Sequence, residues 1–212
     1  MKSMKKLFAL VLVIVSVLAI ALPAMAVTTT TTVGGVNVRR GPGTGYARVG
    51  DQIAIGSTCS PKFQVYGTTV NGSSSHAWYY VENINCACGN SSCDAPYAGY
   101  IHASCLGPVT LIYGNPPDSK FEAFGPSTLS IGSWGLEVYN LQLVLWENEC
   151  LGDMRDMSDC DGVFGNDTAE AVKEFQRKYN LDLVDGLVGN DTKTELWYRK
   201  GTTFNHYGAD PS

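Results

Sequence analysis

Residues 161–168 read Asp161-Gly162-Val163-Phe164-Gly165-Asn166-Asp167-Thr168, and residues 185–192 read Asp185-Gly186-Leu187-Val188-Gly189-Asn190-Asp191-Thr192. Six of the eight positions are identical, and the other two exchange one apolar residue for another at an offset of 24 residues. An offset that short holds a turn plus a helix, not a unit that folds alone. Each octet supplies an Asp-Gly turn, an apolar pair, a second glycine and polar residues suited to a helix start. Phe164 and Val188 are expected to plug a helical core, and Thr168 and Thr192 to satisfy orphan donors at helix starts within 166–168 and 190–192. Turn amides and helix N-termini also suit carboxylates or sugar groups, which makes Asn166, Thr168, Asn190 and Thr192 candidate ligand-binding residues.

Working outward, Val138, Leu141, Gln142 and Leu145 follow a helical period, so a first helix is expected from Leu136 to about Glu149. Ala171, Val172, Phe175 and Tyr179 give the stripe of a second, ending near Asn180, a residue that tolerates a left-handed cap. Leu196 and Trp197 anchor a short third, with Thr192-x-x-Glu195 as its capping box.

This pattern resembles the three-helix peptidoglycan-binding domain of cell-wall hydrolases, over residues 126–200. Pro126, Leu129, Gly132, Gly135, Val138, Leu141, Gln142 and Leu145 fit the family's first part. Asp161, Gly162, Phe164, Gly165, Thr168, Ala171, Val172, Phe175 and Gln176 fit its second, and Asp185, Gly186, Val188, Gly189, Thr192 and Leu196 its third. The departure is 148–159, longer than usual and bracketed by Cys150 and Cys160. The resemblance implies binding by the surface that the octets shape, more than by octet side chains.

Upstream the texture is different. Val36–Arg39, Gln52–Ile55, Phe63–Tyr66, Ala77–Val81 and Gly99–Ile101 are strand-length runs separated by turn residues. Residues 33–106 therefore read as a small all-β domain, a strongly bent sheet or partly open barrel. Val36-Asn37-Val38-Arg39-Arg40-Gly41-Pro42 with Tyr46, then Trp78-Tyr79-Tyr80-Val81, then Gly99-Tyr100-Ile101-His102 with Ser104 and Leu106 resemble bacterial SH3-like domains. The loops before Trp78 and around Cys86, Cys88 and Cys93 are longer than that family's. Most rings of so small a domain belong to its core. Tyr46, Trp78 and Tyr100 remain candidates for stacking on sugar or peptide, and Arg39 or Arg40 for a carboxylate. Alternation turns Arg39 away from Val36 and Val38.

The fold class expected is thus a small all-β SH3-like barrel followed by an all-α three-helix domain. The Thr-rich residues 27–32 read as a spacer, 107–125 as an inter-domain linker and 201–212 as a tail. Residues 1–26 read as a signal peptide: Lys2, Lys5 and Lys6, an apolar run from Leu7 to Leu22, then Ala24-Met25-Ala26. Uncleaved, that run would tether the chain to a membrane. Its removal takes three lysines and no acid, moving the formal net charge from −5 to −8. A surface that acidic argues against nucleic acid as a partner.

Seven cysteines in an exported chain read as disulfides. With two separate domains, Cys150 pairs most simply with Cys160. Cys59, Cys86, Cys88, Cys93 and Cys105 then leave one thiol over, and the sequence does not select their pairing. Zinc at Cys86, Cys88, Cys93, His102 and Cys105 is disfavoured outside the cell. Asp153, Asp156, Asp159 and Asp161 miss the calcium-loop frame, with Met157 and Thr168 at its end positions. Asp159-Cys160-Asp161-Gly162 looks like a cysteine-peptidase site but lacks a suitable His, and His102-Ala103-Ser104-Cys105 has the wrong order for a transpeptidase. No catalytic residue, metal or cofactor is assigned.

The expected function is an exported, wall-associated, non-catalytic protein that binds peptidoglycan glycan strands and peptide stems through two modules and targets or regulates a separate wall hydrolase. The alternatives are a small wall hydrolase with its activity in the atypical β domain, and a protein-interaction adaptor.

Overall fold

Alternating aromatic and β-branched residues draw the first half of the chain into an antiparallel sheet, described by a computed structural model over residues 28–68, 74–88, 94, 96–111, 117–150 and 159–202. The signal segment, Cys93, residues 151–158 of the extension and residues 203–212 of the tail lie outside the described residues. Strands β1 (Thr29–Thr30), β2 (Thr58–Thr68), β3 (Ser74–Asn85) and β4 (Gly99–His102) lie in the order β1-β2-β3-β4. Tyr80 pairs with Tyr100 and Tyr79 with Ile101, so successive side chains of β3 and β4 project to opposite faces.

Both faces are apolar. Cys59, Val81 and Ile101 pack on one side with Val36, Val38, Ile53 and Leu106. Phe63, Val65, Trp78, Tyr80 and Tyr100 form the other. A sheet with two apolar faces needs two covers. The segment between β1 and β2 supplies the first, and Trp134, Leu136 and Tyr139 of the helical half supply the second.

The sheet is a four-stranded antiparallel one, and three expectations change around it. The runs 36–39 and 52–55 do not form full strands but meet through the single pair Val36↔Ile53, because Gly41-Pro42-Gly43-Thr44-Gly45 interrupts any longer ladder. The Thr-rich spacer is part of the sheet. Thr29 pairs with Cys59, Gly107 N–H donates to the Thr30 carbonyl, and Thr31 Oγ donates to the Ala54 carbonyl at 2.7 Å. Threonine is β-branched and carries its own donor, so low complexity did not prevent a strand. Single pairs Thr31↔Leu106 and Arg39↔Tyr100 curl the sheet back on itself.

The end of the expected linker is also structured. Helix α1 (Lys120–Phe124) starts at Ser119, whose hydroxyl accepts from Glu122 N–H, and buries Ala123 and Phe124 in the helical core. Asn140 Nδ2 donates to the Ala123 carbonyl, and the buried Lys193 ammonium donates to the Gly125 and Ser127 carbonyls. Helices α2 (Leu136–Glu147), α3 (Asn166–Lys178) and α4 (Asn190–Arg199) complete the domain, and Asn180 takes the left-handed conformation at φ 53°. Phe164 and Val188 are buried plugs in the same core as Leu141, Leu145, Phe175 and Leu196. No described helix is long and apolar enough to cross a membrane.

Candidate functional site

The octets owe their shape to a glutamine one helix earlier. Gln142 Nε2 donates to Asp161 Oδ1, the Val163 carbonyl and Thr168 Oγ, while its Oε1 accepts from Gly162 N–H at 2.7 Å. Gln176 Nε2 donates to Asp185 Oδ1, the Leu187 carbonyl and Thr192 Oγ, and its Oε1 accepts from Gly186 N–H at 3.0 Å. Each glutamine thus closes one Asp-Gly turn and ties it to the next helix. Gly162 and Gly186 sit at φ 71° and 78°, where a side chain is strained.

This network corrects the assignment of the threonines. Gly165 and Gly189 precede the two helices without any side-chain cap. Thr168 and Thr192 lie inside the helices, buried, with their hydroxyls turned back to the Val163 and Leu187 carbonyls. Glu195 pairs with Arg199 at 2.7 Å, so the capping box is not formed. Asn166 is exposed, and Asn190 Oδ1 accepts from Lys120 Nζ.

The first octet carries the β domain. Tyr139 stacks on Phe63 with centroids 4.2 Å apart and planes at 8°. Tyr100 Oη donates to the Asp161 carbonyl at 2.9 Å, and a Cβ on Gly162 would lie 2.4 Å from that oxygen. Tyr80 Oη lies against Gly135 at the start of α2, which has no side-chain cap, and its ring meets Trp134 edge-on. Among the described residues the second octet has no such cover: Leu183, Val184 and Leu187 are exposed beside it.

The two copies of the repeat differ in charge behaviour. Asp161 and Asp185 accept the same hydrogen bonds, from a glutamine amide and from the N–H two residues on. Burial pushes the Asp161 carboxyl above its usual range, with Asp159 adding repulsion. The Leu187 N–H holds the exposed Asp185 carboxyl below that range. Burial is what separates the two.

Most aromatic candidates therefore join domains instead of facing a ligand. Tyr100 is 0% exposed, and Trp78 is 2% exposed and meets His102 edge-on. Tyr46 is 36% exposed, its ring covers Gly41, and burial beside Asp161 raises its phenol. Arg39 Nη1 donates to the Tyr46 carbonyl at 2.6 Å. The structure thus brings Tyr100, and Tyr46 beside Asp161, to the first octet, ties Arg39 to the Tyr46 carbonyl, and leaves Asn190 and Thr192 at the second.

Cys86 and Cys88 are bonded, with Cα atoms 5.3 Å apart. Cys150 and Cys160 are both buried and not bonded to each other, which differs from the expected pairing. Burial raises the Cys59 and Cys150 thiols to about 11, so neither is a ready thiolate. His102 caps the short turn Ala103–Cys105, accepting from Ser104 N–H, which gives that His-Ala-Ser-Cys stretch a local structural role.

Residues 135–196 match the family model described as "Putative peptidoglycan binding domain", a span that holds α2, both octets and most of α4. The spore cortex-lytic enzyme of Bacillus subtilis (strain 168) is 37% identical over 102 residues, 42% of this chain and 32% of that protein. The chain thus spans about a third of the length of that curated relative. The crystal structure of the SleB N-terminal domain shares 35% identity, with 37% of this chain and 99% of that chain covered and a TM-score of 0.32.

Proposed function

We propose that this protein is exported to the cell wall and binds peptidoglycan with its two domains acting as one joined body, targeting or regulating a separate wall hydrolase without cleaving the polymer itself. The observation that carries this reading is the peptidoglycan-binding match over residues 135–196, with both glutamine-closed octets intact inside it. The seam supports the joined body. Two modules held together lose no further tether freedom when the second touches the polymer, which raises apparent affinity from weak contacts. The test is sedimentation of the chain from residue 27 onward with purified peptidoglycan. Partition into the pellet is expected, and an adaptor that binds only proteins would stay in solution.

A second reading, a wall hydrolase, is favoured by the 37% identity to a protein named for cortex lysis. On that reading the substrate class is spore-cortex peptidoglycan. Release of soluble fragments from purified cortex by this protein alone would establish it, and intact wall with retained binding at several pH values would reject it.

A further inference from the structure

The segment that turns through Gly41-Pro42-Gly43 carries three arginines, Arg39, Arg40 and Arg48, and no Asp or Glu precedes Asp51 in the chain. Arg39 and Arg48 lie directly opposite each other, and Arg39 is also opposite Tyr100. Directly opposed residues of an antiparallel pair share a face. Both arginines therefore belong to the face that carries Tyr100 toward the helical domain, on the side opposite the Val36 and Val38 core. Like charges in such a pair oppose folding.

Among the described residues no carboxylate neutralises them. The ion pairs among the described residues are Lys62–Glu82, Lys173–Glu170 and Arg199–Glu195. Lys120, Lys178 and Lys193 give their protons to hydroxyl, amide or carbonyl oxygens. Arg39 holds the Tyr46 carbonyl, while Arg40 and Arg48 are exposed. In a chain of net charge −5, two unmatched guanidiniums on that face, with Arg40 beside Arg39 on the same turn segment, are a charge left for something else.

We propose that Arg39, Arg40 and Arg48 form a carboxylate-recognition surface for the peptide stems of peptidoglycan. The proposal rests on the peptidoglycan reading above and names where the β domain touches the polymer. A guanidinium fork matches a carboxylate bidentately, and stems carry free carboxylates. Tyr46 takes Arg39 on its carbonyl, covers Gly41 and feels the Asp161 charge, so a stem held here stays within reach of the helical domain that takes the same polymer.

The experiment compares the chain from residue 27 onward with its Arg40→Gln/Arg48→Gln variant. Both positions are exposed and Arg48 opposes a like charge, so the melting temperature should not fall. Arg39 is kept because it holds the Tyr46 carbonyl. The probes are purified peptidoglycan stripped of phosphate polymers, and the same wall with its carboxyls amidated. The double variant should bind the unmodified wall about 10-fold or more weakly, and Arg40→Lys/Arg48→Lys should fall between it and the parent. On amidated wall the parent should drop to the level of the double variant. Equal binding of parent and double variant to unmodified wall overturns the proposal. So does a difference that persists on amidated wall, or one that appears only when phosphate polymers are left on. If the parent sediments with neither wall, the peptidoglycan reading itself falls.

Discussion

Tyr139→Lys tests the seam with a residue the protein already uses. Aligning Gln142 with Gln176 puts Tyr139 of α2 at the position of Lys173 in α3, and Leu136 at that of Glu170. Lys173 pairs with Glu170 at 2.7 Å on a solvent face, so lysine is compatible with that helix position. In the first repeat the substitution deletes the Phe63 stack, worth about 0.5–1.5 kcal/mol beyond burial. Re-exposing roughly 60 Å² of ring surface adds about 1.5 kcal/mol. The total, about 2–3 kcal/mol, corresponds to a fall of roughly 5–10 °C in melting temperature for a chain of this size. The assay is thermal and urea unfolding followed by tryptophan fluorescence, because Trp134 and Trp78 both belong to the seam cluster. The parent should unfold in one transition, and the variant should show the sheet and helical signals separating. A single transition within about 1 °C of the parent would refute the seam as the tie between domains. Lys173→Tyr, the reverse exchange, should leave the sheet's transition in place.

Gly162→Ala and Gly186→Ala both force a side chain into the left-handed region, at about 1–2 kcal/mol each. Only the first also meets Tyr100 Oη, so calorimetry should find it the more destabilising of the two. Gln142→Ala and Gln176→Ala each strand an Asp-Gly turn and a buried threonine, and should cost about 2–4 kcal/mol in urea unfolding. The aspartates should respond to pH in opposite senses. Asp161 has a raised pKa in the folded protein, so it lowers stability above that pKa, and stability recovers as the pH falls through it. Asp185 has a lowered one, so its contribution is present above the unfolded pKa and disappears as pH falls through the folded value. Asp161→Asn should therefore be neutral or stabilising at pH 7, and Asp185→Asn destabilising, as read from melting temperatures at pH 7 and about pH 3.

Local pattern was enough for much of this molecule. The two octets, the helical stripes of Val138, Leu141 and Leu145 and of Val172 and Phe175, and the buried plugs Phe164 and Val188 follow from spacing and side-chain type. Those features depend on neighbours within one helix or one turn, which a sequence displays directly. The strand runs of β2, β3 and β4 were legible for the same reason.

What covers the second face of the sheet was decided only in three dimensions. Trp78 and Tyr100 read as core or ligand-facing rings because alternation says that two faces exist, not what lies on each. A trace was present in the repeat itself: Leu136 and Tyr139 stand where the second copy has Glu170 and Lys173, an apolar pair on a face that should be wet. Thr168, Thr192 and α1 carry no such local signal, since cap, core and linker differ in partners 16 to 74 residues away. The sequence by itself determined the elements and their buried stripes. The tertiary fold decided that the first octet holds the β domain and the second faces solvent, because desolvation and long-range hydrogen bonds have no local signature.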